Sequence, residues 1–360
     1  MSFDPAATRR IGQRDVDVSL LGVGTAPFGS TVREDSDESI AAAFSRLYDS
    51  GLRYFDTAPF YGLGVAEHRL GASLRRIDRR STTLSTKIGR LLQPVSGGTA
   101  PGVGGGASPF EVAFDYSYDG TMRSLEHSLQ RLGTNRIDIV LIHDVNRRWQ
   151  GDQVETRYAE AMAGAHRALV DLRAQGTIKA FGVGVNDWSI LLRFAADGDF
   201  DCFMLAGRYT LLDHTALDTF MPDCERRGIS VLMAAPFNSG ILATGARPGA
   251  TYFYTGADAE IMARTRQIED VCKRHGVTLA AAALQFPLAH PVVASVVTGM
   301  RTDVEADANI AHCRAPIPGA FWDELKHRRL IAADAPVPAG RDVTRAMSRA
   351  PEVPSHSRRE

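Results

Sequence analysis

The chain has 360 residues and no run of about 18 consecutive apolar residues, so no helix is expected to cross a membrane. Its opening, MSFDPAATRRIGQRDV, lacks the apolar stretch of a secretory signal. Cysteine is scarce. Cys202, Cys224, Cys272 and Cys313 stand far apart with no CxxC spacing, which excludes zinc ribbons and dithiol redox motifs and leaves four buried thiols. Thiols in a chain without an export signal point to the cytoplasm. Neither sign of charge dominates: 41 Lys and Arg face 42 Asp and Glu. No basic stripe invites nucleic acid and no charged block invites a membrane surface. The GxGxxG fingerprint of a doubly wound dinucleotide fold is also missing. The nearest stretch, Gly22-Val-Gly-Thr-Ala-Pro-Phe-Gly29, misplaces its third glycine and is interrupted by proline. A metal-dependent barrel would need His and acidic ligands at several strand ends. His143-Asp144 is one such pair without a counterpart, so no metal is expected.

What is present is a long alternation of strand-like and helical segments, which implies βα units around a parallel sheet. Strands are expected at Leu20–Gly24, Arg53–Thr57, Thr83–Lys87, Ile137–His143, Ala180–Val185, Cys202–Leu205, Ser230–Ala235 and Ser295–Val297. Helices are expected over Asp37–Asp49, Thr121–Leu132, Thr156–Ala174, Thr215–Arg227 and Ala259–His275, each closing on a glycine at or near its end. Eight units with short connections favour a closed (α/β)8 TIM barrel over an open sheet. A short N-terminal hairpin is expected before it and an extra helix, Phe321–Ile331, after it. The expected division is one domain over 1–335 and a flexible tail over 336–360. Residues 92–112 carry a Gly- and Pro-rich insert after the third strand. It reads either as a surface linker or as a flap over a site built from βα loops.

Asp56 lies near the end of the second strand, Tyr61 in the following loop, Lys87 at the end of the third strand and His143 at the end of the fourth. Adjacent strands lie about 4.8 Å apart, so these side chains can meet at one barrel end. Tyrosine, with a pKa near 10, is a weak base at neutral pH, and a neighbouring ammonium stabilises its phenolate. Lys87 is the candidate ammonium, Asp56 keeps it charged, and His143 orients a substrate oxygen. The group moves a proton at a carbonyl or alcohol oxygen. It carries no electrons, so hydride transfer calls for a nicotinamide cofactor.

At these residues the chain resembles the aldo-keto reductase superfamily. The matching phrases are Gly51-Leu-Arg-Tyr-Phe-Asp-Thr-Ala58, Tyr61-Gly62, Glu67-x-x-Leu-Gly71, Ser85-Thr-Lys87, Arg131-Leu-Gly-x-x-x-Ile-Asp138 leading to Leu141-Ile-His143, Ala180-Phe-Gly-Val-Gly184 and Ser295-Val-Val-Thr-Gly299. The resemblance spans about residues 18–312 and implies a barrel that uses NAD(P), with the family's tetrad on Asp56, Tyr61, Lys87 and His143. Thr25-Ala-Pro-Phe-Gly29, Thr57-Ala-Pro-Phe-Tyr-Gly62, Phe114-Asp-Tyr-Ser117 and Gly182-Val-Gly-Val-Asn186 resemble the branch of aldose and pyridoxal dehydrogenases.

The resemblance also implies a cofactor bed. It takes Thr25 and Asp56, Asn186 after the fifth strand, Pro236, Phe237, Asn238, Gly240 and Leu242 after the seventh, and Gly299, Arg301, Glu305 and Asn309 after the eighth. Asn186 stands without the usual preceding serine, and Ala206 and Ala234 replace a common glutamine and a stacking tyrosine. Glu305 occupies the place where NADP-using relatives often carry arginine. A carboxylate repels a 2′-phosphate and accepts from a ribose hydroxyl, so NAD is expected over NADP. Arg301 argues the other way. Phe28, Phe60, Tyr61, His143, Asp115 and Tyr116 are the expected substrate contacts. The expected reaction is oxidation of an aldose such as L-fucose at C1 to its lactone. A pyridoxal dehydrogenase, an NADPH-dependent aldehyde reductase and a non-catalytic nicotinamide-binding redox sensor are the other readings. The partner is a small sugar or aldehyde, bound by a monomer or homodimer.

Overall fold

The computed structural model describes residues 2–30, 36–102 and 107–338. Eight parallel strands close a barrel: β3 (Leu21–Gly24), β4 (Tyr54–Asp56), β5 (Thr83–Ile88), β10 (Ile139–His143), β11 (Ala180–Val185), β12 (Cys202–Ala206), β13 (Ser230–Ala234) and β16 (Val293–Gly299), which returns to β3. Most residues of these strands are buried, as their continuous apolar runs require. Inside the barrel, Tyr54, Ile139, Leu141, Met204, Leu232 and Val297 pack with Ile11, Val16 and Val18. These last three belong to the N-terminal hairpin of β1 (Thr8–Arg10) and β2 (Asp17–Ser19), which plugs the floor and leaves the opposite end open for chemistry. The larger core lies between the strands and the helices outside them.

Helices α1 (Asp37–Asp49), α3 (Tyr118–Leu132) and α10 (Ala259–His275) have serine or aspartate caps at their first turns, and α3 and α10 stop on left-handed glycines. The helix expected over 156–174 runs from Val154 to Ala174 and contains a π-helical stretch, Ala161–His166. The helix expected from Thr215 begins only at Phe220. Before it, Asp213 accepts from both the amide and the hydroxyl of Thr215 and holds the chain in turns. The last helix is Gly319–His327, so its end is earlier than Ile331. Helices α2 (Val65–Leu74), α7 (Trp188–Asp197) and α11 (Leu279–Leu288) were not foreseen, whereas α12 (Asp303–Arg314) is the helix expected to start near Thr302. In α11 every residue from Ala280 to Leu288 is buried, so no polar face marks the period.

The insert after β5 is neither plain linker nor bare loop. Strands β6 (Arg90–Pro94) and β9 (Phe110–Phe114) pair antiparallel, and β7 (Ala100–Pro101) pairs with β8 (Ala107–Ser108) further out. The hairpin therefore has a firm base beside the barrel mouth. Of the tail expected to be flexible, residues 339–360 lie outside the described residues. Among the described residues, no helix is long and apolar enough to cross a membrane.

Candidate active site

The open end of the barrel gathers the four expected residues. Lys87 Nζ donates to Asp56 Oδ2 at 2.6 Å and to the carbonyl of Thr57 at 2.9 Å. Asp56 Oδ1 accepts from Ser85 Oγ at 2.6 Å, and Ser85 in turn meets the Tyr54 hydroxyl at 3.0 Å. Both oxygens of the carboxylate are thus satisfied, as a buried charge requires. The Lys87 ammonium lies 4.7 Å from the centre of the Tyr61 ring. Tyr61 and His143 stand edge to face, 6.2 Å between ring centres.

Backbone packing sets Tyr61. A Cβ on Gly62 would fall 2.1 Å from the carbonyl oxygen of Gly29, and one on Gly29 would fall 2.5 Å from Tyr61 backbone. Gly62 also sits at φ +62°, so glycine is required there on both counts. The motif Thr25-Ala-Pro-Phe-Gly29 is therefore the platform under the tyrosine. Phe28, an expected substrate contact, is fully buried in that platform with Ile40 and Ala66, and Tyr61 packs on it.

Burial pushes the Tyr61 hydroxyl up to about 12, although Lys87 pulls it down. Tyr61 is thus a phenol at neutral pH, and the ammonium only partly offsets the loss of water. Burial also works against the Lys87 charge, but Asp56 and Tyr61 outweigh it and hold its pKa above the usual lysine value. His143 is driven well below the normal histidine range by burial, then by Arg90 and Lys87, so its ring is neutral. The group combines a neutral acid, a fixed ammonium and a neutral imidazole, which suits proton movement at one oxygen.

A second buried ion pair stands beside His143. Arg90 Nη2 donates to Asp144 Oδ2, and the same oxygen lies 3.2 Å from His143 Nε2. The Arg90 guanidinium is 3.9 Å from the ring centre of Phe60, 4.4 Å from Trp149 and 5.2 Å from Phe114. Tyr116, expected to touch substrate, is fully buried behind the site, where its hydroxyl donates to the His143 carbonyl at 2.6 Å. Asp115 is spent on Ser117, accepting from its amide and hydroxyl, and on Arg123. Neither has a free polar group aimed at a sugar. Phe60, in contrast, lies 6.3 Å from the His143 ring, edge to face. Among the described residues, Trp149 and Tyr254 are two of the four exposed large apolar side chains; Trp149 packs on Arg90 and Phe60, and Tyr254 on Arg148.

The bed for a dinucleotide divides into parts that fit and parts otherwise engaged. Thr25 Oγ1 is buried without a partner at the end of β3, one donor and acceptor awaiting a ligand. Asn186 Oδ1 accepts from Asn146 at 3.2 Å, which leaves its amide hydrogens to donate. Gly299 ends β16 close to Pro27, and Thr302 caps α12, whose N-terminus suits an anion. Asn309 lies in α12, nearly buried. Pro236 and Phe237 lead into a left-handed turn at Asn238, and Gly240 has open space where a Cβ would stand. Asn238 is spent on Gly207 and Thr210, and Leu242 lies fully in the core, so those two support the bed rather than line it. Glu305 accepts from the Arg301 amide at 2.9 Å and faces its guanidinium at 3.4 Å. Among the described residues, no group of His, Cys, Asp and Glu is placed to hold a metal.

A closed barrel that gathers these four side chains at its mouth is suited to moving a proton at a carbonyl or alcohol oxygen. The sequence profile of the aldo/keto reductase family matches residues 20–328, and the chain belongs to that family. Its chemistry uses NAD(P)(H). Among curated relatives, pyridoxal 4-dehydrogenase of Microbacterium luteolum is 41% identical over 92% of this chain and 100% of its own length. D-threo-aldose 1-dehydrogenase of Pseudomonas sp. is 36% identical over 92% of this chain and 98% of its own. Among solved structures, aldo-keto reductase AKR11C1 from Bacillus halodurans (holo form) has a TM-score of 0.69 at 22% identity, over 94% of this chain and 99% of that one. That likeness extends the agreement in fold.

Proposed function

We propose that this enzyme oxidises a small cyclic hemiacetal to its lactone, with NAD as hydride acceptor. The observation that carries the reading is the convergence of Tyr61, Lys87, Asp56 and His143 at one barrel mouth. Bound nicotinamide supplies the hydride acceptor. In its phenolate form Tyr61 takes the proton of the hemiacetal hydroxyl as the C–H bond gives up its hydride and the C=O bond forms. Lys87 favours that transfer by stabilising negative charge on the Tyr61 oxygen, and His143 holds the reacting oxygen by a hydrogen bond. An aldose such as L-fucose, closed as a pyranose, is a substrate of this type.

The aromatic mouth favours a second member of the same class, the ring-closed form of pyridoxal. Phe60, Trp149 and Tyr254 offer flat apolar surface, while Asp115 and Tyr116 are unavailable to sugar hydroxyls. The relatives' names support both, because each names a compound that closes on its own aldehyde. Glu305 supports NAD, since a carboxylate four residues before Asn309 opposes a 2′-phosphate.

The test is turnover of L-fucose, D-arabinose, L-galactose and pyridoxal with NAD and with NADP, read by absorbance of the reduced nicotinamide. Oxidation of one of them with NAD, abolished in Tyr61→Phe, is expected. Preference for NADP would overturn the cofactor reading. Binding of NAD without turnover of any compound would replace the enzyme by a nicotinamide-binding sensor.

A further inference from the structure

Asp144 follows the catalytic histidine and is held from every side. Its backbone lies in the left-handed region at φ +56°, which aspartate tolerates better than most residues. Its amide donates to the Gly184 carbonyl at 3.0 Å, and its own carbonyl accepts from Gln150 Nε2 at 3.1 Å. The same Gln150 nitrogen donates to the Tyr116 hydroxyl, which donates to the His143 carbonyl. Tyr116 itself is fixed from behind: its amide donates to Glu160, and its carbonyl accepts from Ala165 inside the π-helical stretch. Both backbone units of the His143-Asp144 pair are therefore clamped, and their side chains meet at the 3.2 Å approach of Nε2 to Oδ2.

A neutral imidazole carries one proton, and its neighbours decide on which nitrogen. His143 Nδ1 is buried with no partner among the described residues. The Asp144 Oδ2 charge lies 3.2 Å from Nε2 without an in-line hydrogen bond, so it favours a proton on that nitrogen while leaving the N–H to reach substrate, and Arg90 on the same carboxylate keeps it an anion. Arg90 in turn cannot swing away, because three aromatic rings pack against its guanidinium. We infer that Asp144, locked by Arg90, is a positioning residue that keeps the His143 proton on Nε2 and fixes the ring plane. It thereby decides how His143 hydrogen-bonds to the reacting oxygen. The inference rests on the reading above, in which His143 meets substrate. A buried Arg–Asp pair alone would be explained by packing, but packing does not require its acceptor oxygen to lie against the catalytic nitrogen.

The carboxylate faces His143, Arg90, Lys87 on β5, Arg148 in the loop after β10, Tyr61, Tyr116, and Tyr254 on the loop after β13. Burial pushes Asp144 up to about 6, even though Arg90, Lys87 and Arg148 pull it down. Below that pH it gains a proton that Nε2 can accept, the ring proton is then favoured on Nδ1, and activity falls as pH falls through about 6.

The experiment uses the full chain. Arg90→Met with Asp144→Gly removes the acceptor, leaves no buried charge unpaired, and places glycine where φ is positive. Asp144→Asn keeps a carbonyl acceptor. The nitrogen shifts of 15N-labelled His143, assigned by their loss in His143→Gln, report the tautomer independently of turnover. A single Nε2–H form is expected in the native protein, a mixture in the double variant, and recovery of the single form in Asp144→Asn. In parallel, kcat is expected to fall by about 10- to 100-fold in the double variant, less than the roughly 10²–10⁴ of losing an acid–base group, with KM for NAD unchanged. The acid limb near pH 6 should vanish in both variants. An unchanged tautomer, or kcat within about 3-fold of native in the folded double variant, would overturn the inference. Failure of the native enzyme on every substrate would instead remove the functional reading, and the tautomer would still report on Asp144.

Discussion

Two buried ion pairs stand side by side at the barrel mouth, and they behave differently. In Lys87–Asp56 the carboxylate has a second donor in Ser85, and the ammonium has further support from the Thr57 carbonyl and Tyr61. The Lys87 ammonium stays charged over the working range beside the phenol. In Arg90–Asp144 the cation is shared with three aromatic rings, and burial outweighs it, so the acid sits near 6. The number and kind of partners, more than burial itself, separate a fixed charge from a titrating one. One pair touches the residue proposed to move the proton, and the other touches the residue proposed to orient the oxygen.

The largest expected effect tests the first pair through its client. Tyr61→Phe removes the proton carrier and should lower kcat by about 10²–10⁴, with an unchanged melting temperature, checked by steady-state kinetics and calorimetry. Next comes Lys87→Met. It strands the Asp56 carboxylate and should cost about 3–5 kcal/mol in urea unfolding at pH 8. Arg90→Met sharpens the contrast. It strands Asp144, but that acid takes up a proton on acidification, since its folded pKa already lies above the unfolded value of 3.8. The cost of Arg90→Met should therefore shrink between pH 8 and pH 5.5. A cost that stays constant over that range would break the comparison. The smallest effect is that of Trp149→Ala, which removes one face from Arg90 and should cost about 0.5–2 kcal/mol, seen as a small loss of stability and a modest rise in substrate KM.

The first pair was legible in the sequence and the second was not. Asp56 and His143 end apolar strands, where a polar residue breaks the pattern and shows itself, and Lys87 stands near the end of the strand between them. Arg90 follows Gly89 into a polar insert, and its role comes from a hairpin register, Arg90 opposite Phe114, that no local period announces. Asp144 was visible only as a possible metal ligand. The barrel was read from its strands because burial on both faces makes them continuously apolar. Helices α2 and α11 escaped for the same reason, since burial of most of their surface erased the helical period. Asp115 and Tyr116 were found in the right neighbourhood, yet their polar atoms serve the α3 cap and the His143 backbone.

The most direct test of the central claim follows the hydrogen itself. The enzyme is given NAD and L-fucose or pyridoxal carrying deuterium on its hemiacetal carbon, and the nicotinamide product is read by mass spectrometry. Reduced nicotinamide carrying the deuterium, with the lactone formed in equal amount, is the expected result. Lactone without deuterium on the nicotinamide would contradict direct hydride transfer at this site.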